Sequence, residues 1–183
     1  MKTASSLNLE LALLGFLNEQ PQHGYAIHQQ LFDPTGLGSV WRLKLSQLYA
    51  LLHKLEQTGY VVTTLELQES RPPRKLFHLT PAGAAAFAQW IATPVPRGRA
   101  LRLEFLVKLY FARQIGPEAA AQLIAAQREQ CQTWLAAGEA SLHEAQAQGR
   151  SYSYLVKQFR QGQIEAVVAW LDSCETHSLN LEK

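Results

Sequence analysis

Apolar residues recur at steps of three and four along most of this chain, and one short stretch alternates in twos instead. The two periods separate helix from strand. Leu7, Leu11, Leu14 and Leu17 form a stripe that Leu13 and Phe16 widen, predicting a well-buried first helix over 7–19 with Ser6 as its cap. Gln20-Pro21-Gln22 breaks it. His23-Gly24-Tyr25 opens a second helix running to Phe32, with Ile27, His28 and Leu31 on its apolar side. Residues 33–38 are a loop rich in breakers, and 40–43 are an extended lead-in that sets Trp41 beneath the next helix.

Residues 46–59 carry a third helix with both ends marked. Ser46 is placed to cap it, and Gly59 to close it in a left-handed conformation. Leu48, Leu51, Leu52 and Leu55 face a core. The opposite face presents Ser46, Ala50, His53 and Gln57, flanked by Gln47, Tyr49 and Lys54. Small and hydrogen-bonding groups with one acid, Glu56, near the far end suit a helix that lies in a DNA major groove. An ordinary surface helix would have the same leucine stripe, so the neighbours decide.

Those neighbours change the period. Residues 60–67 are β-branched and alternate, 68–73 form a turn, and 74–79 return as a second strand. A β-ribbon whose tip carries Arg71, Arg74 and Lys75 is the wing of a winged helix-turn-helix, with cations placed to reach phosphates. Thr80-Pro81 is a strong helix start, and the helix over 82–92 is anchored by Phe87, Trp90 and Ile91.

Residues 93–98, with two prolines and a glycine, make the clearest break in composition. They divide an N-terminal winged helix-turn-helix domain (1–92) from a C-terminal helical domain (93–183). The fold class is mainly α with a two-stranded β-ribbon. The second half reads as three helices, over 101–113, 117–148 and 152–176. In the middle one, Ala120, Leu123, Gln127, Cys131, Trp134, Gly138 and Leu142 follow a near-heptad seam. A helix of about 30 residues extends roughly 45 Å, more than so small a domain covers, so the seam predicts a partner chain. Leu155, Val156, Phe159, Val167, Val168, Trp170 and Leu171 would supply the helix that packs on it.

Composition narrows the class. With 47% hydrophobic residues in 183, the chain can bury a core, which excludes general disorder. No apolar run is long enough to span a bilayer, and residues 1–6 offer no signal-peptide cleavage site, so a cytoplasmic protein without membrane contact is expected. The net charge of +2 divides evenly between the halves and does not announce nucleic acid. Locally it says more: no acid lies between Asp33 and Glu56, whereas Arg42, Lys44 and Lys54 do.

In this order the residues resemble the PadR family of transcriptional regulators. The resemblance rests on Leu14-Gly15 and His23-Gly24-Tyr25, then on Gln47-Leu48-Tyr49, Leu52, Leu55-Glu56 and Gly59. Pro73-Arg74-Lys75, Leu79-Thr80 and Gly83 continue it around the wing. Glu104, Lys108-Leu109-Tyr110-Phe111 and Trp170-Leu171-Asp172 extend it through the second half. Leu76 stands where the family usually has an aromatic residue, and Tyr60 where leucine is common. The resemblance implies a homodimer that represses by binding an inverted repeat, often released by small aromatic or drug-like molecules. It favours a phosphate bond for the Tyr49 hydroxyl over half-buried packing.

The expected DNA contacts are therefore Ser46, Gln47, Tyr49, Ala50, His53, Lys54, Arg71, Arg74 and Lys75. Trp134, Phe105, Phe111 and Trp170 read as interface core or, in part, as an effector pocket near a two-fold axis. Six scattered histidines and two cysteines make no metal site. There is no phosphate loop and no supported catalytic set, so neither a cofactor nor an enzyme is expected. Cys131 and Cys174 read as buried apolar residues, with redox sensing as the competing role. The alternative to DNA binding is a winged-helix protein–protein module, which should lack a basic wing tip and expose apolar residues there instead.

Overall fold

The computed structural model describes residues 5–68 and 71–178, with side chains from Leu9 to Cys174 apart from 67–68 and 71–72. In chain order the elements are α1 (Ser5–Leu17), β1 (Gln22–His23), α2 (Gly24–Gln30), α3 (Leu45–Gln57), β2 (Val61–Gln68), β3 (Arg71–Leu79), α4 (Pro81–Ala92), α5 (Leu106–Ile115), α6 (Pro117–Ala147) and α7 (Ser151–Ser178). The protein is mainly helical with a small antiparallel sheet. The expected Ser6 cap and Leu7 contact lie outside the described side chains, as do the turn residues 69–70.

The sheet has three strands, in the order β1-β3-β2. Val61 pairs with Leu79 and Glu66 with Arg74, and a bulge follows between Glu66 and Gln68. The third strand is the two-residue β1, which sets Gln22 opposite Phe77 and His23 opposite Leu76. Two residues carry no period, so the ribbon was expected to have only two strands.

α3 closes as predicted and opens differently. Gly59 has φ +76. Its amide donates to Glu56 O, and the Tyr60 amide donates to Leu55 O, the pair of bonds that ends a helix around a left-handed glycine. At the start the cap is Lys44, not Ser46, and α3 begins at Leu45. Lysine has no acceptor, so the cap works from the other side: Gln47 Oε1 accepts from the Lys44 amide at 3.1 Å. α4 starts as predicted. The Thr80 hydroxyl accepts from the Gly83 amide at 3.0 Å and donates toward the carbonyls of Gly59 and Tyr60.

One core runs through both halves. Leu13, Leu14, Ile27, Leu31, Leu48 and Leu52 are fully buried in the first, and Val107, Leu123, Cys131 and Leu171 in the second. Phe111 of α5 joins them, its ring 5.2 Å from Phe16 and 5.7 Å from Phe87. A methyl group on Gly15 would meet that ring at 2.6 Å, so α1 and α5 touch only because Gly15 has no side chain. The segment around 93–98 is not a free linker. Val95 is fully buried, and its amide donates to Gln127 Oε1 of α6 at 2.8 Å.

The helix expected over 101–113 begins as a π-helical turn, Leu101–Phe105, before α5. Buried Glu104 in that turn lies 3.6 Å from buried Lys108, whose ammonium donates to Thr93 O at 2.6 Å and sits 5.0 Å over the Trp90 ring. Burial pushes the Lys108 ammonium below the usual lysine value, and Glu104 opposes the shift.

The long seam on α6, from which a partner chain was expected, is packed within the chain by α7. α7, 28 residues against 31, runs back along it. Val156, Ile164, Val167, Val168 and Leu171 are buried or half-buried, and Arg128 Nε pairs with Asp172 Oδ1 at 2.7 Å. Leu155, Phe159 and Trp170, expected to cover α6, turn outward and are 59%, 66% and 40% exposed. The uncovered apolar face therefore belongs to α7.

Candidate nucleic-acid interface

The period of α3 decides which side chains reach solvent. Leu48, Leu52 and Leu55 fill the core, which leaves Ser46, Gln47, Tyr49, Ala50 and His53 exposed together. The face is small-to-polar and carries no acid.

Tyr49 is fixed by α2. A methyl group on Gly24 would meet the Tyr49 ring at 2.8 Å and its hydroxyl at 3.1 Å. The ring packs against Gly24, 43% exposed, with its hydroxyl beside the start of α2. Gly24 is thus a close-approach glycine.

Gln47 is less free than its exposure suggests. Its Oε1 holds the cap, so only Nε2 is available to a ligand. A bidentate bond to adenine would have to displace that cap.

The wing is tied to α3 through Glu56. Its carboxylate accepts from the Thr63 hydroxyl at 2.6 Å and lies 3.6 Å from both Lys75 Nζ and His53 Nδ1. The Thr63 bond, reinforced by the Lys75 charge and the contact with His53, holds its carboxyl below the usual carboxylate range. β2 and β3 are therefore docked beside the exposed face of α3. His23 adds a second tie: Nδ1 sits 2.9 Å from Lys75 O, and Nε2 3.1 Å from Glu66 Oε2.

The expected contacts divide accordingly. Arg74 and Lys75 are exposed on β3, and Lys75 shares its charge with Glu56. The Arg71 side chain lies outside the described residues. Lys54 does not stand free on the DNA side. It pairs with Glu10 of α1, a carboxylate only 5% exposed, and so neutralises a buried acid. Two cations not named as contacts stand at the open end of α3. Lys44 is exposed at its cap, and Arg42 is exposed with its Nε donating to Gly38 O at 2.9 Å. The acid-free run from Asp33 to Glu56 was their signal. The first-turn amides of α3 beside Lys44 suit a phosphate.

The four aromatics expected to line an effector pocket do not converge. Phe105 and Phe111 are core residues, 1% and 2% exposed. Trp170 stacks edge-on to Phe105 at 6.1 Å and faces outward, while Trp134 is half-buried on α6. Among the described residues no three His, Cys, Asp or Glu side chains converge as a metal site requires, and no helix is long and apolar enough to cross a membrane.

Two family profiles match successive parts of the chain. The transcriptional regulator PadR-like family matches residues 13–89, and the virulence activator alpha C-terminal family matches 101–177. The negative transcriptional regulator PadR of Bacillus subtilis is 28% identical over 173 residues, covering 90% of this chain and 94% of that protein. A probable transcriptional regulator of Mycobacterium tuberculosis is 35% identical over 84 residues, 46% of this chain and 43% of that protein. The crystal structure of Bacillus subtilis PadR in complex with operator DNA is 25% identical, with 93% of this chain and 97% of that chain covered at a TM-score of 0.47.

Proposed function

Since the chain belongs to the PadR-like family of transcriptional regulators, and is thereby a DNA-binding regulator, we propose that it represses by binding an inverted repeat as a homodimer and is released by a small aromatic molecule. It would act in the cytoplasm, where the chromosome is accessible. The observation that carries the DNA contacts is the docking of the wing beside α3. The Glu56–Thr63 bond sets Arg74 and Lys75 next to the face formed by Ser46, Gln47, Tyr49, Ala50 and His53. Repression is supported by the negative regulator that the chain resembles over most of its length.

The dimer is supported by α7. Tyr152, Leu155, Phe159 and Trp170 follow helical spacing along its outer face and are all exposed. An apolar stripe of that length marks an interface, and a two-fold copy would bury it against itself. A protein-binding wing has less support. Val62 and Leu65 are exposed on β2, but successive residues of a strand point to opposite faces, so the two do not merge into a patch.

In this arrangement Tyr49 and Arg74 meet phosphates, while Ala50 and His53 reach base edges. Arg74→Ala should weaken binding to every duplex alike and lower the slope of log affinity against log salt by about 0.9. Lys75→Ala should lower it less, because Glu56 already holds part of that charge. Fluorescence anisotropy on several duplexes across a salt series measures both. If Arg74→Ala changes which sequence is preferred, the wing reads bases and the assignment fails.

A further inference from the structure

Ser46, Ala50, His53 and Gln57 follow one another at steps of four, three and four, so they lie along one line of α3. All four are exposed, and Gln57 is the last residue of the helix. Its carboxamide is the only one on this line. Gln47, on the flank, commits its Oε1 to the Lys44 amide.

The Gln57 amide is held by its neighbours. Its Nε2 lies 3.2 Å from His53 Nε2. An amide nitrogen only donates, so that ring nitrogen accepts. His53 Nδ1 faces the Glu56 carboxylate at 3.6 Å, and a carboxylate only accepts, so Nδ1 carries the ring proton. Glu56 in turn accepts from the Thr63 hydroxyl of β2 at 2.6 Å and lies 3.6 Å from Lys75 Nζ of β3. The series Thr63, Glu56, His53, Gln57 thus fixes a tautomer and an amide direction from the wing outward. Among the described residues Gln57 Oε1 and the second Nε2 hydrogen have no other partner.

We propose that Gln57 reads an adenine in each half-site, with His53 and Glu56 as the residues that position its amide. Adenine offers an N6 donor and an N7 acceptor, which a glutamine matches with Oε1 and the amide hydrogen beside it. That leaves the other amide hydrogen for His53. Gln47 has no such freedom, because its oxygen holds the cap. An amide already held by His53 also loses less side-chain freedom on binding than a free one. Both ring nitrogens of His53 are engaged, so it meets a base through ring carbons, for which a thymine methyl is the fitting contact. Lys75 stands beside Glu56, so a duplex whose phosphates reach the wing passes the Gln57 end of α3. The inference rests on the operator binding proposed above, with α3 in the major groove.

The test is a binding matrix. Fluorescence anisotropy is measured on every single-base variant of the operator that the full-length wild type selects from random duplex DNA. The proteins compared are wild type, Gln57→Ala, Gln57→Glu and His53→Phe. Replacing one A·T pair in each half-site should cost the wild type roughly five- to a hundredfold in affinity and cost Gln57→Ala almost nothing, with other preferences kept. Gln57→Glu, which can only accept, should turn the preference at that pair toward cytosine. His53→Phe keeps a flat ring but removes the acceptor, and should narrow discrimination at the same pair alone. Matrices of wild type and Gln57→Ala that differ only by a constant factor would overturn the proposal, because Gln57 would then meet a phosphate or solvent. So would relaxation at a G·C pair, a Gln57→Glu variant that still prefers adenine, or full discrimination in His53→Phe. In each of these the wild type still selects an operator, so the regulator reading stands. A wild type that selects no sequence would overturn both together.

Discussion

Leu155→Asp together with Phe159→Asp should turn the protein into a monomer and lower its affinity for the full operator by roughly 10²–10⁴-fold. Both side chains are exposed on α7, so the folded chain loses no internal contact of consequence. Two charges on each copy, facing their own images across a two-fold axis, would prevent association. Affinity for an isolated half-site should stay near that of one wild-type protomer. Sedimentation velocity with anisotropy on full and half sites provides the measurement. A double variant that remains dimeric would place the interface elsewhere. Removing the helical half outright is a poorer experiment, because Phe111 belongs to the core that α1 and α4 build.

Lys108→Met should destabilise the fold by about 3–5 kcal/mol, the usual cost of leaving one member of a buried ion pair alone. Lys108 is 2% exposed and Glu104 4%. Methionine fills similar space but leaves the Glu104 carboxylate uncompensated and the Thr93 carbonyl without its donor. Adding Glu104→Leu should restore much of the loss, since two apolar residues carry no desolvation penalty. The pH dependence has a definite sign. The folded-state Lys108 value lies below the unfolded one, so the unfolded chain binds more protons in the window just under the usual lysine value. Stability from this group is present above that window and falls as pH drops through it. Chemical denaturation across that range should show wild-type stability rising with pH and the variant without that rise. A single variant within about 1 kcal/mol of wild type would mean that the pair does not clamp α5 to the end of α4.

Periodicity showed which faces are buried and could not show against what. The leucines of α3 and the seam of α6 were legible because a stripe is a local property. What covers the α6 seam is not local. α7 has two apolar stripes, and only packing decides that Val156, Val167, Val168 and Leu171 turn inward while Leu155, Phe159 and Trp170 turn out. Lys54 was placed with the DNA-facing residues for the same reason: its partner, Glu10, lies 44 positions away on α1. Gln47 illustrates a finer limit. Serine is the better cap by type, but the chain turns at Lys44, and a glutamine three residues on bonds back to it. Gly59 was legible from residue type, because it follows a helix end. The grouping of Arg97, Arg99 and Arg102 with Lys157 and Arg160 was not, since they meet only when α7 folds back over α6.

The most direct measurement is selection of bound sequences from random duplex DNA by the full-length protein, followed by footprinting of the best binder. The account predicts an inverted repeat whose half-sites lie about one helical turn, roughly 34–36 Å, apart or a multiple of it, protected symmetrically and lost together in the Leu155→Asp/Phe159→Asp variant. No enriched sequence, or a single asymmetric site bound equally well by that variant, would contradict it.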